Sequence, residues 1–148
     1  MVYDIKDIFI DNNISFVKIN VELHRVDRNE HYPIDIGDYD VIAIDDVKKN
    51  IWIIESKYLN RVGNFYEMFD QQRNFFKENK YIEKFQRRID FINNNYKRVL
   101  KSFGFVDVSG YNVLSYMVFN KVMISRYRKI DIPLISISEL SGIINTTN

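Results

Sequence analysis

Asp38, Asp40, Glu55 and Lys57 are the residues of this chain whose types and spacing could do chemistry. An acid pair two residues apart is followed, within one short stretch, by an acid and a lysine with the same separation. Two carboxylates brought to ~4 Å repel by on the order of 4 kcal/mol at an effective dielectric of ~20. One lysine sets a single point charge against two. A divalent ion held by oxygen ligands suits them better, and Mg²⁺ typically takes one or two carboxylates together with water and a phosphate.

Whether these residues meet depends on the elements that carry them. Asp40-Val41-Ile42-Ala43-Ile44 and Ile51-Trp52-Ile53-Ile54 are β-branched runs separated by a polar stretch, which predicts a β-hairpin. A four-residue loop over positions 46–49 sets Asp45 opposite Asn50, Ile44 opposite Ile51, Ile42 opposite Ile53 and Asp40 opposite Glu55. Side chains alternate faces along a strand. Val41, Ala43, Trp52 and Ile54 then line one side, with Ile42, Ile44, Ile51 and Ile53 on the other. Strands apolar on both faces belong inside a layered α/β structure. Ionisable groups at the rim of such a sheet point to a site.

Gly37-Asp38-Tyr39-Asp40 resembles the glycine-acid-x-aspartate strand of the PD-(D/E)XK nuclease superfamily, the restriction-endonuclease-like fold, and Glu55-Ser56-Lys57 resembles its E-x-K. The resemblance implies Mg²⁺-dependent phosphodiester hydrolysis, with Mn²⁺ as an alternative ion and DNA as the expected substrate. It implies Asp40, Glu55 and Lys57 as catalytic residues. Asp40, Glu55 and the Ser56 carbonyl would hold the metal, and Asp38 is a reserve ligand. Some branches of the superfamily place a glutamine on the next helix with an aromatic four residues on, a pattern that Gln72 with Phe76, or Gln71 with Phe75, would fit. The plainer alternative is an exposed hairpin with cross-strand ion pairs, Asp38 facing Lys57, each contributing only ~0.2–1 kcal/mol. The same fold could also serve as a non-catalytic nucleic-acid-binding or protein-interaction module.

The 148 residues fit one domain with one core. With 46% hydrophobic residues the chain can fill it, which excludes intrinsic disorder. The absence of cysteine excludes disulfides, zinc–thiolate sites and cysteine catalysis. No stretch approaches the ~20 apolar residues of a membrane span, and the first residues lack a signal-peptide pattern. The expectation is a soluble, cytoplasmic protein. The net charge of +1 conceals an asymmetry: residues 1–60 hold 7 Lys/Arg against 12 Asp/Glu, and the remainder 14 against 8. An acidic centre beside a basic surround suits a phosphodiesterase, because Lys and Arg neutralise backbone phosphates. Charges of both signs also solvate any surface.

Elsewhere, residues 1–13 suggest one or two helical turns. Residues 15–26 alternate as a strand with Val17, Ile19, Val21 and Leu23 on one face; Glu22, on the other, is either a third acid or a solvated glutamate. His24 and His31 show no ligand spacing. Asn64 is a plausible N-cap for a helix whose stripe runs through Phe65, Phe69 and Gln72, where a polar residue wants a partner. The stripe from Ile82 to Phe103 predicts an amphipathic helix ending at Gly104; its eight Lys/Arg over 77–101 form either a nucleic-acid-facing or a solvated surface. Strands follow at 111–120 and 132–137, then a short helix capped by Ser138. Between the strands Arg126, Arg128 and Lys129 surround a tyrosine and could contact phosphates and a base. The expected architecture is a single α/β domain with a mixed sheet of about five strands in the order αβββααββα. Cleavage specificity would come from a homodimer mate, from further domains of a larger protein, or from DNA structure.

Overall fold

The computed structural model describes residues 1–61, 63–77, 80–122 and 131–147. Its elements run α1 (Val2–Asp11), β1 (Phe16–Val21), α2 (Leu23–Val26), a 3-10 turn (Ile34–Ile36), β2 (Tyr39–Asp45), β3 (Asn50–Lys57), α3 (Phe65–Lys77), α4 (Lys80–Ser102), β4 (Asn112–Phe119), β5 (Leu134–Ser136) and α5 (Ile137–Thr146). The strands form one mixed sheet in sequence order. β1, β2 and β3 pair antiparallel, while β4 and β5 continue parallel to β3. The parallel step requires a long crossover, which α3 and α4 supply. No helix among the described residues is long and apolar enough to cross a membrane.

The hairpin has the expected register, from Asp45 opposite Asn50 to Val41 opposite Ile54. Its turn closes locally. Asp45 Oδ1 accepts the N–H groups of Val47 and Lys48 at 3.0 and 2.9 Å, and Lys49 takes a left-handed φ of +54°. The two apolar faces feed two cores. Val41, Ala43, Trp52 and Ile54 pack with Ile5 and Phe9 of α1 and Leu140 and Ile144 of α5. Ile42, Ile44, Ile51 and Ile53 pack with Phe85, Ile89, Ile92 and Val99 of α4. Each of the larger side chains contributes on the order of 1.5–3 kcal/mol, so the hairpin is the shared wall of a helix–sheet–helix sandwich.

Three sequence expectations need correction. The strand predicted over 15–26 stops at Val21: Asn20 takes φ +50°, Val21 beyond it joins the α4-side core, and Leu23–Val26 coil into α2. Ser136, not Ser138, caps α5; its hydroxyl and backbone N–H both meet the Glu139 carboxylate at 2.8 Å, a capping box. The stripe of α3 is buried only in part, since Phe65 and Phe69 are exposed. Asn64 does cap α3, its Oδ1 accepting the Glu67 N–H at 2.9 Å.

Candidate active site

β2 enters from Gly37, whose φ of +82° is a backbone state that favours glycine. The regular β2–β3 ladder ends at Val41 opposite Ile54. Continued two residues along each strand, it would pair the backbones of Tyr39 and Ser56. Instead the Ser56 N–H donates 2.7 Å to Asp40 Oδ2. A residue's N–H and C=O face the same side of a strand, so the Ser56 carbonyl also faces the Asp40 edge. A carboxylate has displaced a strand carbonyl where the ladder opens.

Glu55 lies on the same sheet face as Ile53 and is almost fully buried. Lys57 Nζ approaches its Oε1 at 2.6 Å, and Arg88 Nη2 of α4 approaches its Oε2 at 3.0 Å. The Arg88 approach is an ion pair without hydrogen-bond alignment, and Oε2 accepts no hydrogen bond. Burial pushes the Asp40 carboxyl above its ordinary range, and the charge of Glu55 adds to the rise; the Ser56 N–H, Lys57 and Arg88 oppose it. Asp40 therefore remains short of positive charge even with two cations nearby.

The site thus brings together Asp40, Glu55, Ser56 and Lys57. Lys57 pairs with Glu55 rather than facing Asp38 across the hairpin. Asp38 contributes its backbone: its carbonyl accepts a hydrogen bond from Arg88 Nη1, while its side chain is exposed. The Glu22 carboxylate is taken by His24 Nε2 at 3.3 Å and Arg25 Nε at 3.0 Å, so it is an ion-pair residue at the start of α2. Gln72 is buried, with Nε2 3.5 Å from the Val122 carbonyl. The glutamine whose Oε1 is buried without a partner is its neighbour Gln71. Arg126, Arg128 and Lys129 lie outside the described residues.

Two residues missed from the sequence complete the surroundings. Arg88 is 8% exposed and spans both strands, holding Glu55 and the Asp38 carbonyl at once, while its own backbone carbonyl accepts the Tyr39 hydroxyl at 3.1 Å. Its signal was positional: three residues after Phe85 and four before Ile92, it falls on the buried stripe of α4 and not on the basic face. Tyr81 is the second. Lys57 Nζ sits 5.0 Å from its ring centroid, and Phe75 stacks on it at 5.6 Å. The chain leaving β3 is fastened by Asn120, whose side-chain oxygen accepts the Leu59 N–H at 2.7 Å and whose amide nitrogen donates to the Leu59 carbonyl at 3.0 Å.

No group of three or more His, Cys, Asp or Glu side chains among the described residues is placed to hold a metal ion. The fit to a hard cation rests on Asp40, Glu55 and one backbone carbonyl, a donor set that leaves positions for water and phosphate, as Mg²⁺ requires. The raised Asp40 carboxyl and the Glu55 oxygen lacking a hydrogen bond favour such a cation. No protein-family profile, curated protein or solved structure matches the chain. A functional reading therefore stands on this geometry and on the motif.

Proposed function

We propose that the protein is a metal-dependent nuclease of the PD-(D/E)XK type, using Mg²⁺ or Mn²⁺ and acting on DNA. The observation that carries the reading is the convergence of Asp40 and Glu55 beside the Lys57 ammonium at the opened end of a buried hairpin. Asp40, Glu55 and the Ser56 carbonyl would hold the ion. When bound, Mg²⁺ supplies Lewis-acid polarisation of the scissile phosphate and a more acidic water. Lys57 then exchanges its contact with Glu55 for the water and the phosphate oxygen, offsetting the charge that builds there. Arg88 keeps Glu55 in one orientation while Lys57 moves.

The test is incubation of supercoiled, linear and single-stranded DNA with the protein and Mg²⁺ or Mn²⁺, beside Asp40→Asn and Lys57→Ala. Each substitution should reduce cleavage by about 10²–10³-fold, the usual loss on removing one transition-state partner. Retardation of DNA by the wild type without cutting would replace this reading with a binding module. Neither binding nor cutting would leave the hairpin a structural ion-pair device.

A further inference from the structure

Arg88 has a second face. Beyond Glu55, its side chain helps to line a recess of about 190 Å³ between the turn before β2 and the first half of α4. Lys84, Arg87 and Arg88 form one wall; Asp35, Gly37 and Asp38 form the other. Arg87 and Arg88 stand three and four residues after Lys84, so each neighbours it on the helix surface. One guanidinium thus separates this recess from the carboxylate pair.

The lining carries three cations and two carboxylates, and the cations that could turn to an anion are Lys84 and Arg87, since Arg88 already balances Glu55. Arg87 is tied at 3.1 Å to Asp35, and both side chains are exposed. Such pairs are held weakly, so an incoming anion can displace Asp35. Lys84 is exposed and forms no ion pair among the described residues. Arg88 is held more firmly, by Glu55 and the Asp38 carbonyl. The recess therefore offers an exposed lysine without an ion pair and a weakly held arginine, beside the buried Arg88. Arginine suits phosphate because its planar fork matches the oxygens of that group.

We propose that this recess binds a second backbone phosphate of the strand whose neighbouring phosphate is cut at Asp40 and Glu55, an inference that rests on the nuclease reading. The strand would run from the carboxylate pair across Arg88 and onto Lys84 and Arg87, which fix its register without touching the reacting atoms. The Asp38 carboxylate at the rim opposes the phosphate, which makes the lysine and arginine on the facing wall necessary to binding.

The experiment compares Lys84→Ala/Arg87→Ala with Lys97→Ala/Lys101→Ala, which removes the same charge farther along α4, outside the recess. Binding of a short fluorescein-labelled duplex is followed by anisotropy in EDTA over a range of salt, and cleavage in Mg²⁺ is then measured. The recess pair should weaken binding by about fivefold or more and lower the slope of log affinity on log salt by about one, the signature of one lost phosphate contact. KM should rise by a similar factor, with kcat within about twofold of wild type. Wild-type affinity and KM in the recess pair, or equal losses in both doubles, would overturn the proposal while leaving the nuclease intact. A wild type that neither binds nor cuts DNA would overturn both.

Discussion

The two ends of the β2–β3 hairpin carry the same chemical kit and treat it in opposite ways. At the turn, Lys49 meets Asp46 at 2.8 Å and Asp107 at 3.1 Å, with the Tyr111 hydroxyl donating to Asp46. At the open end, Lys57 and Arg88 meet Glu55 beside Asp40. Each end has two acids and a lysine. Asp46 and Asp107 are exposed, and hydrogen bonds govern them: Lys49 holds Asp46 below its ordinary range, while the Ser109 hydroxyl and N–H bring Asp107 down to about 2. At the other end burial governs, and Asp40 moves up. The kit is a settled ion-pair cluster in water and an unsettled one against a core. Only the second still has use for a further cation.

The largest effect that would break this contrast is at Arg88. Removing one partner of a buried ion pair costs about 3–5 kcal/mol because the other charge is stranded. Arg88→Met should therefore lower the thermal midpoint by about 10 °C, at about 2–4 °C per kcal/mol for a chain of this size. Glu55→Gln/Arg88→Met should recover part of that loss, since the buried carboxylate that Arg88 balances is then gone as well. A double variant no more stable than Arg88→Met would show that Arg88 acts by packing alone.

A smaller effect tests Asp40. A carboxyl whose value is raised by folding holds its proton more tightly in the native state. Its contribution to stability is thus present below the ordinary 3.8 and lost as pH rises through the folded value. Without metal, calorimetry at neutral pH should find Asp40→Asn more stable than wild type, with the difference closing toward acid pH. Saturating Mg²⁺ or Mn²⁺ should stabilise the wild type, by about 2.7 kcal/mol at a hundred times Kd, and leave Asp40→Asn nearly unmoved. An equal metal response in both proteins would remove Asp40 from the ion's shell.

The smallest effect belongs to the turn. Lys49→Ala breaks two exposed pairs, and such pairs are weak and salt-screened. It should shift the midpoint by no more than about 2 °C and leave cleavage at the wild-type rate. A loss of activity there would mean that the two ends are coupled along the hairpin and are not the independent clusters described.

Much of this was legible because it is periodic. Alternation fixed the register from Asp45 to Val41 and divided the hairpin between two cores, and that register placed Asp40 on the same face as Glu55. What escaped was set by single residues acting against a pattern. The left-handed Asn20 breaks, just before its end at Val21, a strand that side-chain alternation would have carried to residue 26. Arg88 was counted among eight basic residues on an amphipathic helix, and charge counting conceals the one member that turns inward. The exposure of Phe65 and Phe69 has no sequence signal, because helical spacing shows that a stripe exists and not how much of it finds a partner. Glu22 and Asp38 were candidates by type alone, and local turn geometry gave each a different occupation.

Asn120 shows how the site can stay fixed where the sheet runs out. Its carboxamide meets Leu59 as another peptide group would, adding one rung to the parallel ladder that backbone pairing carries to Lys57 opposite Phe119. The lysine is thereby anchored from both directions along the chain. Whatever length or composition the connection beyond Asn60 acquires, its variation is insulated from the ammonium group, and that stretch is free to diverge without moving it.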